Sequence, residues 1–171
     1  MASFIPDSCE DGRVHEPDHP PIVAGWREWV TLPSLKVRWI KAKLDTGAKS
    51  SSLHAFDIEE FEKNGRPWVR FAIHPWQRSQ AESVIVTSRV IDRRIVRSSS
   101  GHAEERIAVP MRVRLVGRVI TVEMTLSNRD EMGFRMLLGR EALAQGYLVD
   151  AAQSYVGGLP RRSTRRKNWG R

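Results

Sequence analysis

Between Val23 and Val149 the chain runs as short alternating or apolar stretches, rich in β-branched and aromatic residues and separated by turn signals. That is the pattern of a small all-β domain. Trp26–Leu32 and Val37–Leu44 read as strands joined at Pro33-Ser34. Leu53–Phe61 and Trp68–Ile73 read as a pair joined through Asn64-Gly65, the strongest short hairpin signal. Val84–Val96 reads as one long strand running into Ser98-Ser99-Ser100-Gly101, with Glu105–Val109 returning to complete a hairpin. Met111–Val116 and Val119–Leu126 alternate around Gly117, and Tyr147–Val149 reads as a last strand. The one helical piece is Arg140–Gln145, stopped by Gly146. No internal repeat is visible.

Length and charge limit the organisation further. With 171 residues the chain holds one domain with tails, not two full lobes. Residues 1–22 are Pro-rich and carry five acids against one Arg, which predicts a disordered leader. The domain is expected over residues 23–156 and a flexible basic tail over 157–171. The net charge is +8, and residues 161–171 hold six bases and no acid. Residues 23–160 hold 21 bases against 15 acids, so the body itself is basic. Acidic partners are the natural expectation: nucleic acid, an acidic peptide or phosphate. No apolar run approaches the roughly 20 residues of a membrane helix, so no membrane partner is expected. A lone Cys9 and a leader without an apolar core point to a reducing cytoplasm.

The chemistry concentrates in two pieces. Ile40-Lys41-Ala42-Lys43-Leu44-Asp45-Thr46-Gly47-Ala48 sets an Asp-Thr-Gly-Ala turn at the end of an alternating strand. Met136-Leu137-Leu138-Gly139-Arg140 sets an apolar run before Gly-Arg and the short helix. Alone, Asp-Thr-Gly is also an ordinary turn whose Asp caps local amides. In this order within a small all-β chain, the two pieces resemble the retropepsin-like aspartic proteases. Three groups of residues bring the likeness closer: Gly25-Trp26-Arg27-Glu28-Trp29-Val30, Ser51-Ser52-Leu53-His54-Ala55, and Asn128-Arg129-Asp130 ahead of Met136. They are similar to one bacterial and archaeal branch, labelled ATP-dependent zinc proteases and associated with ATP-grasp amino-acid ligases. The match runs over roughly residues 23–150.

The resemblance implies a small closed acid-protease barrel with one short C-terminal helix. It implies that Asp45 supplies one catalytic carboxylate, that the Thr46 hydroxyl braces the loop, and that Gly47 permits close backbone approach. Leu138 and Gly139 would thread behind that loop, with Arg140 pairing to a nearby acid. The Ser98–Gly101 hairpin would be the flap. Two facing carboxylates sharing one proton can activate water and protonate a peptide carbonyl. A single Asp-Thr-Gly in a chain of this length then implies an isologous homodimer. The link to ligases suggests acidic peptide or protein tails as substrate. Ala48, Lys49, Arg93, Arg94, Arg97, Ser98, Ser99 and Arg135 are the candidates for substrate binding, guanidinium forks being matched to carboxylates.

Other chemistries fare worse. His15, His19, His54, His74 and His102 form no His-Glu-x-x-His and there is no Cys pair, so no local zinc site is encoded. A scattered set such as His54 with Asp57 or His74 is the remaining alternative. Gly47-Ala48-Lys49-Ser50 fails as a phosphate loop, because Ala48 and Lys43 stand where glycines are required. No cofactor is expected. Trp26, Trp29 and Trp39 read as packing residues. The rival function is a non-catalytic basic module for RNA, ribosomes or another acidic surface, with the tail as one contact.

Overall fold

The computed structural model describes residues 20–35, 37–97, 101, 103–129 and 132–169. Its strands in chain order are β1 (Ile22–Gly25), β2 (Arg27–Leu32), β3 (Val37–Leu44), β4 (Ser51–His54), β5 (Phe56–Lys63), β6 (Arg66–Ile73), β7 (Val84–Arg89), β8 (Asp92–Arg97), β9 (Ala103–Leu115), β10 (Arg118–Ser127), β11 (Met136–Leu138) and β12 (Tyr147–Asp150). Helix α1 (Arg140–Leu143) lies between β11 and β12, and α2 (Arg162–Lys167) follows β12.

Six strands close on themselves in the order β10-β4-β11-β3-β2-β9, with β9 pairing back to β10 and β8 pairing with residues 103–108 of β9 on the edge that β2 meets further along. Closure removes the free edges that an open sheet would present. Alternate residues of β3 (Ile40, Ala42, Leu44) and of β9 (Val109, Met111, Val113, Leu115) are buried in one continuous core with Val37, Leu53, Met124, Met136 and Leu138. The period of two thus aims one side chain in two inward. The all-β barrel expected from sequence is therefore what the chain forms. A second sheet, β5-β6-β7, adds Val69, Phe71, Ile73 and Val86 to the same core. β1 and β12 pair in parallel, Ile22 opposite Tyr147.

Several boundaries differ from the sequence expectation. Val84–Val96 is two strands, not one. Val90 gives its amide to the Pro67 carbonyl and Ile91 gives its amide to Ala108, so the chain crosses there from the small sheet to the barrel. Leu53–Phe61 divides at Ala55: all four residues of β4 are buried, whereas β5 is largely exposed and bulges where Asp57 takes φ 50°. Glu105–Val109 and Met111–Val116 merge into the 13-residue β9. Pro110 sits between the stretch paired with β8 and the residue paired with β2, where that edge has no partner in register. The Asn64-Gly65 turn forms as expected, both residues at positive φ.

The ends also differ. Residues 1–19 of the expected leader lie outside the described residues, and Ile22 already opens β1. The segment expected as a flexible tail contains α2, so the described part of the chain has two short α-helices rather than one. It lies against the loop after β6, where Asn168 is buried and accepts the Gln77 amide at 2.9 Å. Among the described residues no helix is long and apolar enough to cross a membrane.

Glu28 fastens the two ends of the domain together. Its side chain is 0% exposed. One carboxylate oxygen accepts the amides of Gly25 (2.7 Å) and Val156 (2.8 Å), and the other accepts that of Gly157 (3.1 Å). Charge-assisted bonds of this kind are shorter and stronger than neutral ones. Glu28→Ala strands those amides and is expected to lower unfolding stability by about 3 kcal/mol. Urea denaturation of the two proteins measures it, with Glu28→Gln falling between them.

Candidate functional site

Asp45 is the first residue after β3, and its position is set by the strand beside it. Its amide donates to the Leu138 carbonyl at 2.9 Å, continuing the parallel pairing of β3 with β11. Oδ1 accepts the amides of Gly47 (3.0 Å) and Ala48 (3.2 Å), so the carboxylate caps its own turn. Oδ2 takes the Lys43 ammonium at 2.9 Å. The two readings of this residue therefore do not exclude each other: one oxygen caps the turn and the other meets a cation in a groove. The Lys43 hydrogen bond holds the Asp45 carboxyl below the usual carboxylate range, against the opposing effect of burial. The Lys43 charge and the two amides add to the lowering.

The support behind the turn is a close backbone contact. A Cβ on Gly139 would lie 2.6 Å from the Ser50 carbonyl oxygen and 2.7 Å from its carbon, which leaves room only for glycine. The Gly139 amide donates to Ser51 Oγ (3.1 Å), and the Arg140 amide donates to the Ala48 carbonyl (2.8 Å). The Arg140 guanidinium reaches the carbonyls of Thr46 (3.3 Å) and Gly47 (3.4 Å) rather than an acid. Thr46 is thus engaged through its carbonyl. Buried hydroxyls stitch the next layer, with Thr125 Oγ1 on the Ser51 carbonyl and Ser52 Oγ on Ser127 Oγ, both at 2.8 Å.

Asp45 lines an open groove of about 1150 Å³. Its walls are the Gly47–Ser50 turn, Arg94–Arg97 of β8, Arg106 of β9, Arg129, and Met132–Phe134. Six cations (Lys43, Lys49, Arg94, Arg97, Arg106, Arg129) face three acids (Asp45, Asp92, Glu141), so the lining is basic. Of the residues expected to bind substrate, Ala48, Lys49, Arg94 and Arg97 are brought together there. Arg94 is already tied to Asp92 (2.6 Å), Glu123 and Glu141 (3.4 Å). Arg93 lies outside the lining and pairs with Glu60 and Glu105. Arg135 is also outside it: the residue is 3% exposed, and its guanidinium donates to the carbonyls of Trp76 and Ser79. A cation committed to backbone carbonyls in the interior holds a loop together. Ser98 and Ser99 lie outside the described residues.

Three cations of the lining were not singled out from sequence. Lys43 has a visible signal, since it alternates with buried Ala42 and Leu44 and must point away from the core two residues before Asp45. Arg106 has none, and Arg129 stands in the sequence only within the Asn128-Arg129-Asp130 likeness with no role attached, because only the folding of distant segments brings the two together. Arg106 is 12% exposed at its side chain and pairs with Glu104 at 2.8 Å. Arg129 donates its Nε–H to the Phe134 carbonyl (3.3 Å) and its amide to His54 Nδ1 (3.0 Å). Burial first, then the Arg106 charge, push the Arg129 pKa down, while the Asp45 charge pulls the other way. These three groups thus sense one another electrostatically.

His54 stacks on Phe56 (6.0 Å between ring centres), which stacks on His74 (4.3 Å). Among the described residues no three His, Cys, Asp or Glu side chains gather to hold a metal ion. The donor set for the zinc of the branch's label is thus not met by these residues.

Comparison with known proteins supplies the family. The chain is 45% identical over 133 residues to a protein of Shewanella pealeana named "Probable alpha-L-glutamate ligase", covering 78% of this chain but 29% of that protein. A protein of the same name from Desulfotalea psychrophila is 44% identical over 130 residues, covering 76% and 28%. The chain therefore spans under a third of the length of these curated relatives. The crystal structure of Lpg0085 from Legionella pneumophila, a protein of unknown function (DUF785), superposes with a TM-score of 0.67. It is 30% identical, over 79% of this chain and 97% of that one. The model of the RimB-like family, described as the retropepsin-like aspartic endopeptidase RimB, matches residues 23–159. With four-fifths of its length under that model and the barrel, turn and Gly-Arg support in place, the chain belongs to the RimB-like family of retropepsin-like aspartic endopeptidases.

Proposed function

We propose that this chain is an aspartic endopeptidase that works as a homodimer and cuts acidic, glutamate-rich peptide tails. The observation that carries the reading is the Asp45 carboxylate, fixed by its own turn and partly buried at the wall of a groove lined mainly by cations. The relatives named for glutamate ligation support the choice of glutamate, and the excess of Lys43, Lys49, Arg97, Arg106 and Arg129 suits a substrate rich in carboxylates.

One protomer supplies one Asp45, and Asp45 of a second copy supplies the other across the two-fold axis. With one proton held between them, the ionised carboxylate takes a proton from water as its oxygen adds to the scissile carbonyl carbon. The protonated carboxyl gives its proton to the carbonyl oxygen. Collapse of the resulting diol breaks the C–N bond, the amine leaves with a proton, and the shared proton is restored. The amides of Gly47 and Ala48 hold each carboxylate in place throughout. In this reading the β8–β9 hairpin, whose Arg94–Arg97 line the groove, serves as the lid that excludes water.

Asp45→Asn keeps an acceptor for the turn amides and removes the base. Cleavage of a glutamate-rich peptide is expected to fall by at least about 10³-fold. Adding an excess of this variant to the parent protein should also suppress the parent's activity, as mixed dimers form. Full activity in Asp45→Asn would overturn the role of Asp45, whereas a parent protein that cleaves no peptide but binds acidic partners would favour the basic binding module. A second outcome follows from Lys43. Two neighbouring carboxyls titrate as one coupled pair, and Lys43 biases it toward ionisation. Lys43→Met removes the largest cause of the lowering, so Asp45 should titrate at higher pH. The acid limb of the cleavage profile should move upward with it, and carboxyl NMR of the variant reports the titration directly.

A further inference from the structure

The groove has a wall held from outside the family-matched domain. Residues 132–134 form that wall, and the Phe134 carbonyl takes the Arg129 Nε–H. The segment is fastened at both ends by one side chain: Gln77 donates Nε2–H to the Met132 carbonyl (3.0 Å) and accepts the Arg135 amide on Oε1 (2.9 Å). Gln77 is in turn fastened through its backbone. Its amide donates to Asn168 Oδ1 (2.9 Å), and the Arg78 amide donates to the Asn168 carbonyl (3.1 Å). Asn168 is 3% exposed and follows α2, beyond residue 159 where the family match ends.

Around this bond the C-terminal segment makes further contacts with the same loop. Lys167 pairs with Glu82 (2.6 Å), whose other oxygen accepts Trp76 Nε1–H (2.9 Å). Lys167 also lies over the Trp76 ring (5.5 Å), and the Arg78 guanidinium lies over Trp169 (4.6 Å). A six-residue helix with four bases, no acid in its first turn and no side-chain cap has no stability of its own. Its docking, through Asn168, is what keeps it helical.

We infer that Asn168 is a positioning residue for the groove: through Gln77 it holds the wall at 132–134 and, by the Phe134 carbonyl, the guanidinium of Arg129. This rests on the proposed peptidase reading for its functional half. The clamp touches neither Asp45 nor its turn, so its loss should weaken substrate binding without changing the chemistry.

The test uses the full chain and three proteins: the parent, Asn168→Leu, which removes the acceptor, and Asn168→Asp, which keeps it. Amide hydrogen exchange in Asn168→Leu is expected to quicken at residues 76–79 and 132–135 while β9 and β10 keep the parent's protection. KM for a glutamate-rich peptide is expected to rise about three- to tenfold with kcat within about twofold of the parent. Asn168→Asp should restore both. Unchanged exchange at 132–135, loss of protection spreading through β9 and β10, a fall in kcat at unchanged KM, or failure of Asn168→Asp to restore the wall would each overturn the inference. If the parent cleaves no such peptide, the peptidase reading fails instead, and exchange at 132–135 alone decides the clamp.

Discussion

The contact between β11 and the back of the Asp45 turn governs both the barrel and the site. Three residues, Met136–Leu138, insert between β3 and β4, parallel to one and antiparallel to the other, and so join the two halves of the ring. Immediately afterwards the backbone passes within van der Waals distance of Ser50, at the one residue that has no Cβ to collide. The Leu138 carbonyl, the Gly139 amide and the Arg140 guanidinium then each take a backbone or hydroxyl group of the Asp45–Ser51 segment. Closing the barrel and fixing the carboxylate are therefore a single packing event. Lateral displacement of β11 would open the ring and release the turn together.

Electrostatics sorts the basic residues into two populations. Arg135 and Arg93 are spent on structure, the first on buried carbonyls and the second on acids of neighbouring strands. Lys43, Arg106 and Arg129 converge beside Asp45, close enough that the charges of Arg106 and Asp45 act in opposite directions on the Arg129 guanidinium. A site of this kind holds its cations in mutual repulsion, partly relieved by Asp45 and by acids such as Glu104. Under the proposed function, an incoming carboxylate would relieve that repulsion further, so the crowding would add to affinity as well as any one contact.

The fold and the centre of the site were legible in the sequence because both are local patterns. Alternation in β3 and β10, Asn64-Gly65 and the Asp-Thr-Gly-Ala turn each depend on residues a few places apart. What escaped depends on distance along the chain. The split of Val84–Val96 follows from two amides choosing partners in different sheets, Pro67 and Ala108. Arg129 reaches the groove only because His54, in a strand 75 residues earlier, accepts its amide. The C-terminal segment read as a loose cationic tail because composition counts its charges and misses the buried Asn168 that docks it.

The separation in sequence between the turn and its support has a consequence for biosynthesis. Arg140 lies 94 residues beyond the Thr46 carbonyl that it holds, and β4 pairs with a strand some seventy residues later. Such contacts form late, because each must close a long loop before it returns any stability. On the ribosome, Asp45 emerges well before the backbone that fixes it. A growing chain thus carries its carboxylate on an unsupported turn until nearly all of the barrel has been made, and no truncated fragment ending before residue 140 holds an organised site.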